Sequence, residues 1–356
     1  MTGKVSANPS RVVVVTGVSR YLGAHVAARL AVDPRIDRVI GVDPVDPAPE
    51  LAHLLDGVAL VRADVAAVGG VITDFDVEAV VHLAVVTAPD RKHGGRVAMK
   101  EQNVIGTMHL LAACQRAPRL RKLVVRSSTA AYGASFRDPA VFTEQTEPRE
   151  VPRGGFARDV LDIEGYVRGF RRRRPDVTTT VLRLAPLIGF AADTTITRYL
   201  AQPFVPTVLG RDARLQFVHV DDALEVLHRS VLEDHGGTYN VAGAGVLTLS
   251  QAIRRAGRIG IPLPEYALSG AAGTVRIFNW RYGRDQIDLL VHGRVVDTTR
   301  LIDEYGFEPR SIATAFDDFL RGHTAGRLVD PDQVAVAEQT IREAIRQVRG
   351  AVRERS

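Results

Sequence analysis

VVVVTGVSRYLG, residues 12 to 23, decides the fold. Four consecutive valines form a β-branched run with no polar alternation, the pattern of a strand buried on both faces of a parallel sheet. A glycine turn follows, and YLGAHVAARLAV then carries helical spacing. Gly17 and Gly23 bracket that turn. A tight strand-to-helix turn needs a residue without a Cβ, and the N–H groups at the helix start, aided by the helix dipole, are suited to holding a pyrophosphate. The spacing fits T-G-x-x-G-x-x-G, except that Arg20 stands where the middle glycine belongs. A side chain there crowds the approach of backbone to phosphate, unless the arginine folds outward and caps the anion itself.

Five further segments read as strands: RVIGVD (38–43), VALVRADV (58–65), VEAVVHLAV (77–85), KLVVRSS (122–128) and VTTTVLRLA (177–185). Helical patterns fall between them, notably at 103–117 and 157–172. This alternation predicts an α/β fold with right-handed crossovers, a Rossmann-type doubly wound parallel sheet. From about residue 186 the rhythm breaks into prolines and short segments. We therefore expect a dinucleotide-binding domain over 10–185 and 217–245, and a smaller, discontinuous C-terminal substrate domain over 186–216 and 246–330. Apolar residues at Ile341, Ile345, Val348 and Val352 predict an amphipathic helix in 331–356.

Composition narrows the function classes. The 356 residues carry a net charge of +5, with 42 arginines and 4 lysines. The densest basic run, Arg168 to Asp176, has no aromatic residues interleaved for base stacking and reads as a solvated helix end, not a nucleic-acid surface. Cys114 is the single cysteine, which excludes an intrachain disulfide and a four-cysteine zinc site, and no metal ligand set is read. No charge-free apolar run of 18 residues is present, so no membrane span is expected. The N-terminal segment has no apolar signal core, and the expected location is cytoplasmic.

The acid after the second strand sets the nucleotide. Asp43 lies 26 residues beyond Gly17. A carboxylate there accepts both ribose hydroxyls of an adenosine and repels a 2′-phosphate, which favours NAD over NADP. Arg20 argues the other way, since a cation in this loop greets such a phosphate. Asp64, or the N–H of Val65 after it, is placed to meet an adenine amine. Leu83 and Ala84, small residues closing the fourth strand, leave room for a flat cofactor, while His82 reads as a satisfied core histidine.

Taken in order, TGVSRYLG (16–23), Asp43, Asp64, HLA (82–84), NVIGTMHLLAAC (103–114), SSTAAYG (127–133), FTE (142–144), LRLAPLIG (182–189), FVHVDDAL (217–224), YNVAG (239–243) and VDTTRLIDEYGFEP (296–309) resemble the extended short-chain dehydrogenase/reductase family. The likeness is to its NAD-dependent epimerase/dehydratase branch, in particular the UDP-glucose 4-epimerase-like members, and spans roughly 11–325. The resemblance implies a cofactor-binding set of Gly17, Arg20, Tyr21, Leu22, Gly23, Asp43, Asp64, Val65, Leu83, Ala84 and Asn103. It implies that Ser128 positions a substrate hydroxyl, with Tyr132, Arg183 and Tyr199 on the substrate side. It also implies a homodimer.

The departure lies in GGFARDVLDIEGY (154–166). The family's acid/base is a tyrosine followed four residues later by a lysine that lowers its pKa and holds the nicotinamide ribose. Glu164 anchors the register, and Phe156 and Val160 then fill those two slots. The four lysines are Lys4, Lys92, Lys100 and Lys122, and none has a tyrosine four residues before it. The family's asparagine three residues after the arginine is also replaced, by Pro186. Two readings follow. One is an NAD-dependent epimerase, dehydratase or reductase acting on a nucleotide-sugar-like substrate with another proton carrier, for which Arg153, Arg158, Asp159, Tyr132 and Tyr199 are the named alternatives. The other is a non-catalytic dinucleotide-binding sensor or scaffold.

Overall fold

The structure is a computed structural model that describes residues 11–65, 67–89, 94–152, 155–265 and 284–323. The segment 331–356, expected as an amphipathic helix, lies outside the described residues. A central sheet of seven parallel strands is built from β1 (Val12–Thr16), β2 (Arg38–Asp43), β3 (Val58–Arg62), β4 (Ala79–His82), β5 (Lys122–Ser128), β6 (Thr178–Leu184) and β7 (Gly237–Val241). Their order across the sheet is β7-β6-β5-β4-β1-β2-β3. The chain runs outward from β1 to β3, then returns to β4 and runs the other way. The turn after β1 therefore sits beside the reversal, where open α/β sheets bind ligands at the carboxyl ends of their strands.

The valine run behaves as its composition requires. Val13 and Val15 join one hydrophobic cluster with α1 (Tyr21–Ala31) and α5 (Val220–Leu232). Val12 and Val14 join the opposite cluster with α2 (Val68–Asp74), α3 (Gly106–Arg116) and α4 (Gly155–Arg173). A strand covered on both faces accepts a polar side chain only where it is hydrogen-bonded, as Thr16 is, and the four valines are 7% exposed or less. A third cluster, including Ile188, Leu200, Phe217, Phe316 and Phe319, gathers α6 (Arg284–His292), α7 (Ile312–Gly322) and the short helix Leu249–Arg255. A parallel strand pair, Phe204–Val208 with Ile259–Leu263, belongs to this part of the chain, where the sequence pattern breaks into prolines and short segments.

Two strands end earlier than their apolar runs. β4 stops at His82 because the next two N–H groups, of Leu83 and Ala84, turn inward and donate to Thr16 Oγ1 at 3.2 and 3.3 Å. Asp64 falls beyond the end of β3, is exposed, and accepts the N–H of Ala67 at 2.8 Å, closing the turn before α2. In the basic run, Arg174 is not only a solvated helix end: its Nη1 donates to the carbonyls of Cys114, Gln115 and Ala117 at 3.0–3.1 Å and so caps α3.

His82 is fully buried and bonded at both ring nitrogens, to Thr16 Oγ1 and Thr107 Oγ1, each at 2.9 Å. Thr107 gives its proton to the carbonyl of Asn103, so it accepts from Nε2; Thr16, already accepting two N–H groups, donates to Nδ1. A second ring proton would have no acceptor, and burial pushes the imidazole down to about 4 from the ordinary 6.5. The unfolded chain therefore takes up a proton first as pH falls, and stability declines between pH 6.5 and 4. We expect His82 to account for about 3 kcal/mol of that decline. Denaturant titration of the parent and of His82→Gln at several pH values checks this, and an unchanged slope in the variant contradicts it.

Candidate active site

A cleft of about 670 Å³ opens at the carboxyl edge of the sheet. The turn after β1 forms one wall, with Ser19, Arg20, Tyr21, Leu22 and Gly23. Leu83, Val85, Thr87 and Ala88 after β4 form the next, followed by Arg126 to Ala130 at the end of β5. Phe156 at the start of α4, Tyr199, and Asp285 and Arg294 from the chain beyond residue 283 close it.

The turn is as tight as its glycines imply. Gly17 has φ 84°, and a Cβ there would lie 2.8 Å from the Ala84 nitrogen. A Cβ on Gly23 would lie 2.0 Å from the Gly17 carbonyl oxygen. Ala84 and Gly17 thus define the turn from behind and do not line the cleft. Asp43 accepts the N–H of Ser19 at 3.0 Å and that of Val45 at 3.2 Å, which fixes a carboxylate against the turn at the end of β2.

Several residues named from the sequence sit elsewhere. Asn103 lies in a π-helical stretch, Glu101–Ile105, and is fully buried. Its Oδ1 accepts the Val86 N–H at 2.7 Å, and its Nδ2 donates to the Val86 carbonyl at 2.9 Å and to Asp159 at 3.0 Å. It clamps the loop after β4 to α4. Val65 packs beneath α3, where a Cβ on Gly106 would touch it at 3.2 Å. Neither lines the cleft, and nor does Asp64.

Tyr132 and Arg183 belong to a buried network beneath the site. The Tyr132 hydroxyl donates to Asn240 at 2.7 Å and accepts from Arg183 at 2.9 Å. Arg183 grips Glu164 through Nε at 2.9 Å and Nη2 at 2.6 Å, and Ser127 donates to the same carboxylate at 2.5 Å. Every partner is inside the protein, so the structure does not bring Tyr132 or Arg183 to the cleft as substrate contacts. Breaking one member leaves an uncompensated buried charge. We expect Arg183→Met to cost about 3–5 kcal/mol in chemical denaturation, and Tyr132→Phe about 1–2 kcal/mol. A cost below about 1 kcal/mol for Arg183→Met would show that the pair does not staple α4 to the sheet.

Phe156 lines the cleft as a ring without a proton to give, whereas Val160 is 1% exposed and faces the interior. The replacement donors considered from the sequence are engaged. Asp159 pairs with Arg96, which also donates to the Gly155 carbonyl. Arg158 pairs with Asp162 at 3.1 Å, and the Tyr199 hydroxyl donates to the Pro206 carbonyl at 2.6 Å. Arg153 lies outside the described residues. Ser128 does face the cleft, and its Oγ accepts the Ala130 N–H at 3.2 Å, which leaves its own proton to donate.

Asp285, Arg294 and Arg126 are among the cleft residues that escaped the sequence reading. Asp285 accepts the N–H of Phe156 at 2.7 Å and of Ala157 at 3.4 Å, so a carboxylate stands beside position 156, and burial pushes it above the usual range. Arg294 is pushed down to about 10 by burial, and its Nη2 donates to the Gly133 carbonyl at 2.7 Å. Arg126 is also pushed down to about 10, by burial first and then by Arg20. Of the three, only Arg126 has a local signal: a charge in the apolar strand KLVVRSS.

Fold and cleft together define an α/β protein with a doubly wound parallel sheet and a cleft at the carboxyl ends of its strands. Residues 13–242 match the model of the NAD dependent epimerase/dehydratase family, and the chain belongs to that family. It is similar, at 45% identity over 328 residues, to an uncharacterized protein of Mycobacterium tuberculosis, covering 91% of this chain and 87% of that one. Among solved structures it is similar to UDP-glucose 4-epimerase from Thermotoga maritima with UDP-glucose, at TM-score 0.67 and 18% identity, covering 87% of this chain and 98% of that one. It is also similar to UDP-glucose-4-epimerase from Stenotrophomonas maltophila with bound NAD and formylated UDP-arabinopyranose, at TM-score 0.68 and 18% identity, covering 89% and 98%. Among the described residues no helix is long and apolar enough to cross a membrane.

Proposed function

We propose that the chain is an NAD-dependent enzyme of the epimerase/dehydratase kind, acting on a nucleotide-sugar-like substrate, in which Asp285 moves the proton that a tyrosine moves in its relatives. The observation that carries this reading is the Asp285 carboxyl against the N–H groups of Phe156 and Ala157, in a cleft shared with the glycine turn. Solved structures similar to this chain include a UDP-glucose 4-epimerase with UDP-glucose and a UDP-glucose-4-epimerase with bound NAD.

The residues suit a dinucleotide. The turn between Gly17 and Gly23 is closed by contacts that a Cβ would fill, and Asp43 is held beside it to accept ribose hydroxyls and to disfavour a 2′-phosphate. NAD, when bound, supplies hydride transfer. The chain's own residues do the rest. Ser128 donates its hydroxyl proton to a substrate oxygen, and Asp285 accepts or returns a proton at its carboxylate. Burial raises the Asp285 carboxyl, which brings its basicity closer to neutral pH than that of a free aspartate. The Phe156 ring excludes water from the same corner. The same reading takes the chain as a cytoplasmic homodimer.

Calorimetric titration with NAD and NADP, followed by assay with UDP-glucose and UDP-galactose, tests this. We expect NAD to bind more tightly than NADP, and Asp43→Ala to weaken NAD more than NADP. We expect Asp285→Asn to leave NAD affinity unchanged while lowering turnover about 10²- to 10⁴-fold. NAD binding with no turnover of nucleotide sugars by the parent would favour a dinucleotide sensor, and no binding would overturn the reading.

A further inference from the structure

Arg20 and Arg126 come from opposite walls of the cleft and converge on one atom. Each donates through Nη1 to the carbonyl of Val85, Arg20 at 3.4 Å and Arg126 at 3.3 Å. A guanidinium carries five N–H donors, and among the described residues each of these two makes this single hydrogen bond. Neither forms an ion pair among the described residues. The acid that Arg20 feels, Asp43, is held by the Ser19 and Val45 N–H groups. Arg126 is half-buried and senses Arg20 as a like charge. Two cations have thus been placed side by side in a concave site with no carboxylate in ion-pair contact with either among the described residues. That arrangement opposes the stability of the free protein and favours whatever anion enters.

Position and shape name the anion class. One member stands in the glycine turn and the other on β5, and both line the cleft. Two planar guanidinium groups match two adjacent phosphate groups, because each fork pairs two N–H groups with two oxygens. Arg20 also occupies the place of a glycine whose absence keeps backbone from phosphate. We propose that Arg20 and Arg126 clamp the diphosphate of the bound nucleotide, supplying through side chains the contact that the turn cannot give through backbone. The clamp also returns to the cleft a positive charge that Val160 does not provide. This inference rests on the dinucleotide reading and extends it to a residue, Arg126, on a different strand.

The test is a calorimetric titration of the full chain with NAD, ADP and inorganic pyrophosphate, paired with melting of the ligand-free protein. Arg126→Gln is expected to weaken ADP and NAD about tenfold or more. It is expected to melt no lower than the parent when ligand-free, since a like-charge contact has been relieved. Arg126→Lys keeps the charge without the fork and is expected to fall between the two. The clamp is overturned if Arg126→Gln binds ADP and NAD as tightly as the parent, or if Arg126→Lys is no better than Gln and both melt lower, which would mark Arg126 as structural. If the parent binds ADP or pyrophosphate in an Arg126-dependent way but not NAD, the clamp stands and the dinucleotide reading fails. If NAD binds independently of Arg126, the reverse holds.

Discussion

A single directed chain of hydrogen bonds sets the geometry on which the cleft depends. It runs from the Leu83 and Ala84 N–H groups into Thr16 Oγ1, from Thr16 into His82 Nδ1, from His82 Nε2 into Thr107, and from Thr107 into the Asn103 carbonyl. It ties the carboxyl ends of β1 and β4 to each other and to the helix that follows. Asn103 then spends its side chain on Val86 and Asp159, which carries the constraint to α4. Each donor has one acceptor, and a protonated imidazole would break the order. The Val85 carbonyl is held on a loop pinned at both sides, at Ala84 and at Val86.

Beneath this runs a second fixed layer, the Glu164–Arg183–Tyr132–Asn240 network, which locks α4 to β6 and β7. The first turn of α4 is therefore rigidly placed, and what changes relative to the family pattern is the chemistry carried there. On the sequence reading, Phe156 and Val160 fall in the phenol and ammonium slots. A carboxylate reaches the same corner from Asp285, and guanidinium groups reach the cleft from Arg20 and Arg126. In the proposed reading the charges stand on other elements of the same scaffold. On this account the loss of the tyrosine and lysine is a relocation of function within one cleft.

Much of this was legible in the sequence. The valine run, the glycine turn and the alternation of strands with helices predict the parallel sheet, because a strand buried on both faces is mostly apolar. The helix itself was legible too: the pattern over 157–172 falls within α4, Gly155–Arg173. The roles of Tyr132, Arg183 and Asn103 were not, since a polar residue named by motif can serve the ligand or the scaffold. Only the long-range partners Asn240, Glu164 and Val86 show that these three are bonded within the chain. Asp285 lies 129 residues from the helix start that it caps, and no local pattern predicts such a contact. Strand ends were overread because apolar character continues past the last ladder bond, as at His82, where Thr16 captures the next N–H groups.

The most direct test of this account is a crystal structure of the chain with NAD. The account predicts the diphosphate between Arg20 and Arg126, with N–H to oxygen separations of about 3 Å, the adenosine ribose on Asp43, and the nicotinamide towards Phe156 and Asp285. A dinucleotide bound with its diphosphate away from both arginines, or with its nicotinamide outside the cleft, would contradict it.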